Sequence, residues 1–376
     1  MSETTRRKRL AVFISFYGDG GVERMVSNLC AAAVKHVDVD LLALKLRGGH
    51  ASLISDEVNI IRLGSKHSWS SVGEVAEYLR KFKPDALLAA KDRAGRAALG
   101  AAAKAGTNTP VFIRLGTNLS AALERKDLLS RWLRTTPMKR KYPRAQGVIA
   151  VSEGVRQDTL KVTGIAPDKV HVIRNPVITP RLAELASEDA PHPWLTDKSV
   201  PVILGMGRLT RQKDFPSLLR AFSKVIKTRA ARLIILGDGP EPGDREQHER
   251  LASELGISQH LLLPGFQKNP YAWLSRADQF VLSSAWEGSP NALTEALALG
   301  IPSVSTDCPS GPVETLDGGR YGPLVAVGDH EAMADAMLAT LENPLPAETL
   351  REAVREYRAD LSANRYLQLM GLLPDA

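Results

Sequence analysis

The chain has 376 residues, 44% hydrophobic and 24% charged, which predicts two folded domains with a core each and argues against disorder. Its net charge of +7 is uneven, with 30 Lys and Arg against 16 Asp and Glu in residues 1–175 and 19 against 26 in the remainder. Two cysteines make neither a disulfide framework nor a metal cluster, and no apolar run is long enough for a signal peptide or a membrane span, so the expected location is cytoplasmic, free or peripheral on the cytosolic face of the plasma (inner) membrane.

Leu10 to Phe16 predicts the first buried strand. Tyr17-Gly18-Asp19-Gly20-Gly21-Val22-Glu23-Arg24 follows, then a helix to about Val34. The glycines do not fit G-x-G-x-x-G, so the dinucleotide fingerprint is missing. Gly20-Gly21 reads either as an ordinary tight turn or as backbone that lets a phosphate approach closely. Strands at 38–45, 58–64, 84–90, 111–117 and 147–152, separated mostly by helical or turn-rich stretches, predict a doubly wound parallel sheet. Asp38-Val39-Asp40 is formally an Asp-x-Asp. It opens a strand, whereas open α/β sheets bind ligands beyond the carboxyl ends, so it reads as solvated strand-entry aspartates and not a metal site. Lys91-Asp92-Arg93 follows the fourth strand on the ligand-binding side, and Arg114 and Asn118 lie at the end of the fifth.

Leu119 to Arg144 reads as a basic helical segment. Leu128, Leu129, Trp132 and Leu133 share one helical face, while Arg125, Lys126, Arg131, Arg134, Lys139, Arg140 and Lys141 supply a dense positive surface. Two readings stand: a surface for anionic lipid headgroups or a pyrophosphate-linked acceptor, or a solvated helix packing its stripe on the sheet. Without aromatic platforms or a recognised motif, nucleic acid is not an expected partner. The stretch ending Ile173-Arg174-Asn175-Pro176 closes the first half, and 179–199 reads as a variable connection.

Residues 201–205 start a second sheet, followed by Gly207-Arg208-Leu209-Thr210-Arg211-Gln212-Lys213-Asp214 and a helix from Phe215 or Pro216. Arg208 and Lys213 sit where two cations can clamp a diphosphate. Residues 232–236 with Gly237-Asp238-Gly239-Pro240 form another strand and turn, and 261–263 lead into Pro264-Gly265-Phe266-Gln267. A strand at 279–285 then precedes a helix with Ser289 as N-cap, Pro290 at its first position and Gly300 at its C-terminal cap. The loop and helix start make an anion site. Asn291 and Glu295 face one side of the helix and Glu287 stays in the loop. The two glutamates either accept vicinal hydroxyls of a sugar-bearing ligand or merely complement the helix dipole and solvent. A strand at 301–306, helices at 330–341 and 348–357, and a last helix at 361–373 complete the chain.

Glu287 and Glu295, set as E-G-S-P-N-A-L-T-E-A-L-A-L-G-I-P, resemble the Glu-x7-Glu motif of the retaining family 4 glycosyltransferases. The resemblance extends to Gly20-Gly21-x-Glu23, Gly207-Arg208-Leu209 with Gln212-Lys213, and Gly237-Asp238-Gly239-Pro240. It implies a GT-B fold, two Rossmann-like doubly wound domains facing a central cleft. Residues 1–178 would bind the acceptor, 179–357 the nucleotide sugar, and 358–376 would return as a helix to the first domain. It implies transfer of a hexose or N-acetylhexosamine from a nucleotide sugar, UDP above all, to a saccharide or lipid-linked acceptor in cell-envelope polysaccharide or glycolipid synthesis. No metal or other cofactor is implied, because Arg208 and Lys213 take the cation's role. By the same resemblance Glu295 holds ribose, and Glu287 with Gly288, Ser289, Pro290, Asn291, Ala292 and Leu293 addresses the sugar or its phosphate. Glu287, Arg208 and Lys213 are the catalytic candidates, the loop at Phe266 holds the base, and Gly20 and Gly21 border the diphosphate. Relatives carry an N-domain histidine near Lys91, and this chain has none there, so Lys91, Asp92, Arg114 and Asn118 are the acceptor-side candidates. The rival expectations are an epimerase or hydrolase of the same fold and a non-catalytic nucleotide-sugar or membrane binder.

Overall fold

The computed structural model describes residues 6–16, 20–46, 54–124 and 127–374. The chain forms two compact units, Met1–Val177 with Glu356–Ala376, and Ile178–Arg355. The first is built on β1 (Arg9–Ser15), β2 (Asp38–Leu44), β3 (Asn59–Leu63), β4 (Ala86–Ala89), β5 (Val111–Leu115), β6 (Gly147–Ala150) and β7 (Val170–Val172). They form a parallel sheet in the order β3-β2-β1-β4-β5-β6-β7.

Because parallel strands are covered on both faces, β1 is a continuous apolar run and not an alternating one. Phe13 and Leu42 enter one layer with the helices Val72–Phe82 and Asp92–Ala105. Leu10, Val12 and Ile14 enter the other, beneath the helix Gly21–Ala33. The last helix, Ala359–Leu369, lies on that second layer, burying Tyr366 and Leu367 completely, each worth about 1.5–3 kcal/mol of apolar transfer.

The second unit repeats the plan with β8 (Val202–Met206), β9 (Arg232–Leu236), β10 (Leu261–Gly265), β11 (Gln279–Leu282), β12 (Ser303–Thr306) and β13 (Leu324–Val325), ordered β10-β9-β8-β11-β12-β13. The helix Phe215–Thr228 buries Phe215, Leu218, Leu219, Phe222 and Val225, the three-and-four spacing of one helical face. Its start is fixed by Asp214 in left-handed backbone (φ 45°), whose carboxylate accepts from the Ser217 hydroxyl at 2.7 Å.

Several expectations need correction. β7 and β13 add to the strands the sequence predicts, since three and two residues are too few to display a period. The 179–199 connection carries a helix, Pro180–Ser187, and a turn of 3-10 helix, Pro193–Leu195. The basic segment is two helices, Leu119–Leu123 and Leu128–Lys141, each started by its own cap, Asn118 and Asp127. Asp40 is not a solvated strand-entry residue. It is 2% exposed and accepts from Tyr78 Oη at 2.5 Å, Asn59 Nδ2 at 2.9 Å and Arg9 Nη1 at 3.3 Å, a buried charge that is stable because it is paired and hydrogen-bonded.

Candidate functional site

In the second sheet the winding direction reverses between β8 and β11, the place where an open α/β sheet binds its ligand at the carboxyl ends of the strands. The loops at those ends carry Lys213 and Glu287. Lys213 Nζ lies 2.6 Å from Glu287 Oε1, with side chains 18% and 8% exposed. The Ser284 hydroxyl donates to the same oxygen at 2.7 Å, so the carboxylate is held by a charge and a hydroxyl. Backbone ties keep the loops in register: Ala285 N donates to Gln212 O at 2.8 Å, Gln212 Nε2 to Trp286 O at 3.0 Å, and the Ser283 hydroxyl to Lys213 O at 2.8 Å. An ammonium carries three donors, so with one on Glu287 two remain for a ligand. Arg208 is exposed in the same loop and has no ion-pair partner among the described residues.

Neighbouring strand ends close in around this pair. Gly237 takes φ 129°, and a Cβ there would stand 2.0 Å from Gly207 O, so the β8 and β9 loops meet backbone to backbone. Gly207 N donates to Leu236 O, Leu209 N to Asp238 O and Gly237 N to Gly265 O at 2.9–3.0 Å. The Asp238 carboxylate accepts from Phe266 N at 2.8 Å, which fixes the β10 loop with the Phe266 ring 45% exposed. Gly311 (φ 98°) lets the loop after β12 press on Gly288 and Pro290.

The helix after Glu287 spans Asn291–Ala298 and is capped by Pro290, with no side-chain hydrogen bond at the cap. The Ser289 cap is therefore corrected: proline lies at the cap and not within the first turn, and the Ser289 hydroxyl is buried without a hydrogen-bond partner among the described residues. The first turn carries the N–H groups of Ala292 and Leu293, which no carbonyl of the helix can satisfy. Leu293 itself points into the core, so only its backbone is available to a ligand. Glu295 is 1% exposed, with Oε1 3.4 Å from the Tyr271 hydroxyl. Gly300 ends the helix as expected: Gly300 N donates to Leu297 O and Ile301 N to Ala296 O, both at 2.9 Å, with Gly300 left-handed at φ 78°. Burial, with Glu287 nearby, pushes the Cys308 thiol up to about 12, so it remains a neutral filler behind the ion pair.

The first unit has a parallel arrangement at its own reversal, between β1 and β4. Lys91 Nζ, just past β4, lies 2.7 Å from Glu23 Oε1 in the first turn of the helix after β1. Glu23 folds back so far that a Cβ on Gly20 would stand 2.6 Å from its Oε2. Gly20 thus makes room for Glu23, a role the sequence did not reveal, while Tyr17, Gly18 and Asp19 lie outside the described residues. Gly21 opens the helix Gly21–Ala33.

The other first-unit candidates divide. Asp92 accepts from Arg96 Nε and Nη2 at 3.1 and 2.9 Å and from the Tyr142 hydroxyl at 2.9 Å, which commits it to structure. Asn118 caps its helix by accepting from Ala121 N at 3.0 Å. Arg114 is 3% exposed and donates to Asn175 Oδ1 at 2.7 Å; burial lowers its pKa, while Tyr366 and Glu23 close by favour the charge. It is a buried tie, not a group open to an acceptor. Of the basic surface, Arg125 and Lys126 lie outside the described residues, and Arg131 turns back to Leu123 O at 3.0 Å. Arg134, Lys139, Arg140 and Lys141 are exposed.

The apolar stripe beside them does not pack on the sheet. Leu128, Leu129, Trp132 and Leu133 are 81%, 64%, 59% and 57% exposed, and Met138 is the residue by which this helix enters the core. Among the described residues no helix is long and apolar enough to cross a membrane.

Comparison with known proteins agrees with this architecture. Residues 200–343 match a family model described as glycosyl transferases group 1, and residues 19–181 match one described as glycosyltransferase family 4. A Campylobacter jejuni N-acetylgalactosamine-N,N'-diacetylbacillosaminyl-diphospho-undecaprenol 4-alpha-N-acetylgalactosaminyltransferase is 31% identical over 57% of this chain and 54% of its own length. The Escherichia coli lipopolysaccharide 1,6-galactosyltransferase is 26% identical over 72% of this chain and 69% of its own. The chain spans about half the length of the curated relatives it matches. The Anabaena protein HepE, solved with UDP-glucose, superposes with a TM-score of 0.72 over 97% of this chain and 96% of its own; at 16% identity that likeness is one of fold. With a glycosyltransferase family model on each unit and two parallel α/β sheets of matching plan, the chain belongs to the family 4 glycosyltransferases of GT-B fold.

Proposed function

We propose that the protein transfers a hexose or N-acetylhexosamine from a UDP-sugar to a saccharide or lipid-linked acceptor, with retention of configuration and without a metal, in envelope glycoconjugate synthesis. The observation that carries this reading is the Lys213–Glu287 pair at the winding reversal of the second sheet, flanked by exposed Arg208 and a helix start. A diphosphate seated there meets the two free donors of Lys213, the guanidinium of Arg208 and the N–H groups of the first helical turn. The buried Ser289 hydroxyl gains an acceptor. Glu295, at the same helix, takes the ribose hydroxyls.

As the bond to the anomeric carbon breaks, charge grows on the leaving phosphate, and Arg208 and Lys213 stabilise it in place of a metal ion. The leaving phosphate then takes the acceptor's proton on the same face, which accounts for retention without a covalent intermediate. UDP is favoured as donor nucleotide because solved proteins of this fold were captured with UDP and UDP-glucose. The acceptor class follows the relatives that act on lipopolysaccharide and diphospho-undecaprenol saccharides. The exposed stripe Leu128–Leu133 with Arg134, Lys139, Arg140 and Lys141 fits an anionic bilayer, since apolar side chains and cations engage the same interface.

Calorimetry with UDP, GDP and ADP tests the donor site. UDP is expected to bind with undiminished affinity in EDTA, and Arg208→Ala and Glu295→Gln are each expected to weaken it by about 1.5–3 kcal/mol, the worth of a charged hydrogen bond. Binding that neither substitution changes would move the donor elsewhere.

A further inference from the structure

Glu295, on the helix Asn291–Ala298, is 1% exposed, and a carboxylate taken that far from water is stable only where donors meet it. Tyr271 supplies one. Its hydroxyl donates to Glu295 Oε1 at 3.4 Å, from a side chain that is itself buried. A tyrosine side chain hangs on two torsions, so once its ring is packed its hydroxyl has one place to stand, whereas a glutamate turns about three and goes where its donors hold it. Orientation therefore passes from Tyr271 to Glu295. A carboxylate has about four acceptor sites, so this donor leaves capacity for the vicinal hydroxyls of a ribose.

Tyr271 opens a helix of four residues, Tyr271–Leu274, too short to hold itself. Its anchors come from the connection that the sequence reads as variable. Asn269 joins the two: its Oδ1 accepts from Tyr271 N at 3.1 Å and Ala272 N at 3.4 Å, and its Nδ2 donates to Leu185 O and to Glu188 Oε2, both at 2.8 Å. The far end of the short helix is tied to the same segment. The Ser275 hydroxyl donates to Ala186 O at 2.9 Å, and Arg276 Nη1 donates to Ala186 O at 3.2 Å and to Ala272 O at 3.0 Å, while its Nη2 donates to Glu188 O. Between these ties Trp273 is 5% exposed and stacks on His192, with centroids 6.2 Å apart and 22° between the planes. The carbonyls of Leu185 and Ala186 are among those that the helix Pro180–Ser187 leaves open at its carboxyl end, so both helices gain from the contact. All of these residues belong to the unit Ile178–Arg355.

We propose that Tyr271 is a positioning residue for the Glu295 carboxylate, and that residues 185–188 of the connection, through Asn269 and Arg276, set where Tyr271 stands. The proposal rests on the donor reading, in which Glu295 takes the ribose hydroxyls. The connection then acts on nucleotide affinity without touching the nucleotide.

The test is calorimetry of the full chain with UDP and with 2′-deoxy-UDP, which lacks one of the two ribose hydroxyls. Wild type is expected to prefer UDP about tenfold, the worth of one hydrogen bond to a charged group. Tyr271→Phe keeps the ring and deletes the donor: UDP is expected to weaken about fivefold and 2′-deoxy-UDP less than about twofold, so the preference drops to about threefold, whereas a loosened fold would weaken both alike. Asn269→Asp keeps the acceptor for Tyr271 N and Ala272 N, removes the donor to Leu185 and Glu188, and is expected to show the same drop. In a Glu295→Ala background neither substitution is expected to change UDP affinity by more than about twofold, because both act through that carboxylate. An unchanged preference, equal losses for both nucleotides, or a further loss of UDP affinity in the Glu295→Ala protein overturns the role of Tyr271; the same results with Asn269→Asp overturn that of the connection. Equal binding of UDP and 2′-deoxy-UDP by wild type overturns the ribose contact and the positioning together. A wild-type protein that binds no UDP refutes the donor reading itself, whereas UDP binding with unmoved preferences refutes the positioning alone.

Discussion

Replacing Lys213 by Met keeps the methylenes of the side chain and deletes the ammonium that neutralises Glu287. The Glu287 side chain is 8% exposed, and after the substitution its carboxylate retains the Ser284 hydroxyl at 2.7 Å and no cation within salt-bridge distance among the described residues. Removing one partner of a buried ion pair costs about 3–5 kcal/mol. Lys213 is 18% exposed, so water can enter as it leaves, and the lower end, about 3 kcal/mol, applies. For a unit of this size each kcal/mol is worth about 2–4 °C, which sets the drop in melting temperature of the Ile178–Arg355 unit at about 6–12 °C. Adding Glu287→Gln to the Lys213→Met protein removes the stranded charge and is expected to return about 2 kcal/mol, whereas Glu287→Gln alone costs about 1 kcal/mol because the lysine can turn to solvent. Scanning calorimetry reads the melting midpoints, and the four proteins form a double-mutant cycle. A Lys213→Met midpoint within 2 °C of wild type, or a double variant no more stable than the Lys213→Met single, would refute the account of the pair. Arg208→Ala serves as the control: it is exposed, so it is expected to lose UDP affinity with no change in melting.

Gly237→Ala forces a side chain to φ 129° and to 2.0 Å from Gly207 O, and is expected to cost about 2–4 kcal/mol in urea unfolding, whereas Gly256→Ala, at φ 70° with nothing within 4 Å, costs only about 1 kcal/mol. Equal costs would show that the β8 and β9 loops do not meet as described. Trp132→Ala with Leu133→Ala is expected to leave stability within about 0.5 kcal/mol and to reduce flotation on anionic vesicles about tenfold; a large loss of stability with unchanged flotation would return the stripe to the core. Hydrogen bonds from Ser199 and Arg232 hold the Asp197 carboxyl down at about 2. A carboxyl lower in the folded than in the unfolded chain contributes stability above its unfolded pKa, and that contribution is lost as pH falls through about 2. An NMR titration of Asp197 is expected to move upward in Arg232→Ala, and an unmoved midpoint would remove the arginine from the explanation.

Elements whose residues state their own environment are legible in the chain before it folds. Buried parallel strands such as 10–14 and 233–236 are apolar throughout, and glycine after an apolar helical run marks its end at Gly300. Local pattern likewise places Arg208, Lys213, Glu287 and Glu295 in loops and helix starts at strand ends. Which of them meet depends on how the strands are ordered in the folded sheet. Lys213 and Glu287 are 74 residues apart and touch because β8 and β11 are neighbours at the winding reversal, a fact of strand order that no local window contains. The same holds for Asp40, solvated by its neighbours in sequence but buried by Tyr78 from a helix 38 residues on, and for Asp92, occupied by Tyr142. A stripe like Leu128, Leu129, Trp132 and Leu133 has one period whether it faces a core or the outside. Its direction is set by where Met138 and Tyr142 anchor the segment, and that is a property of the assembled sheet.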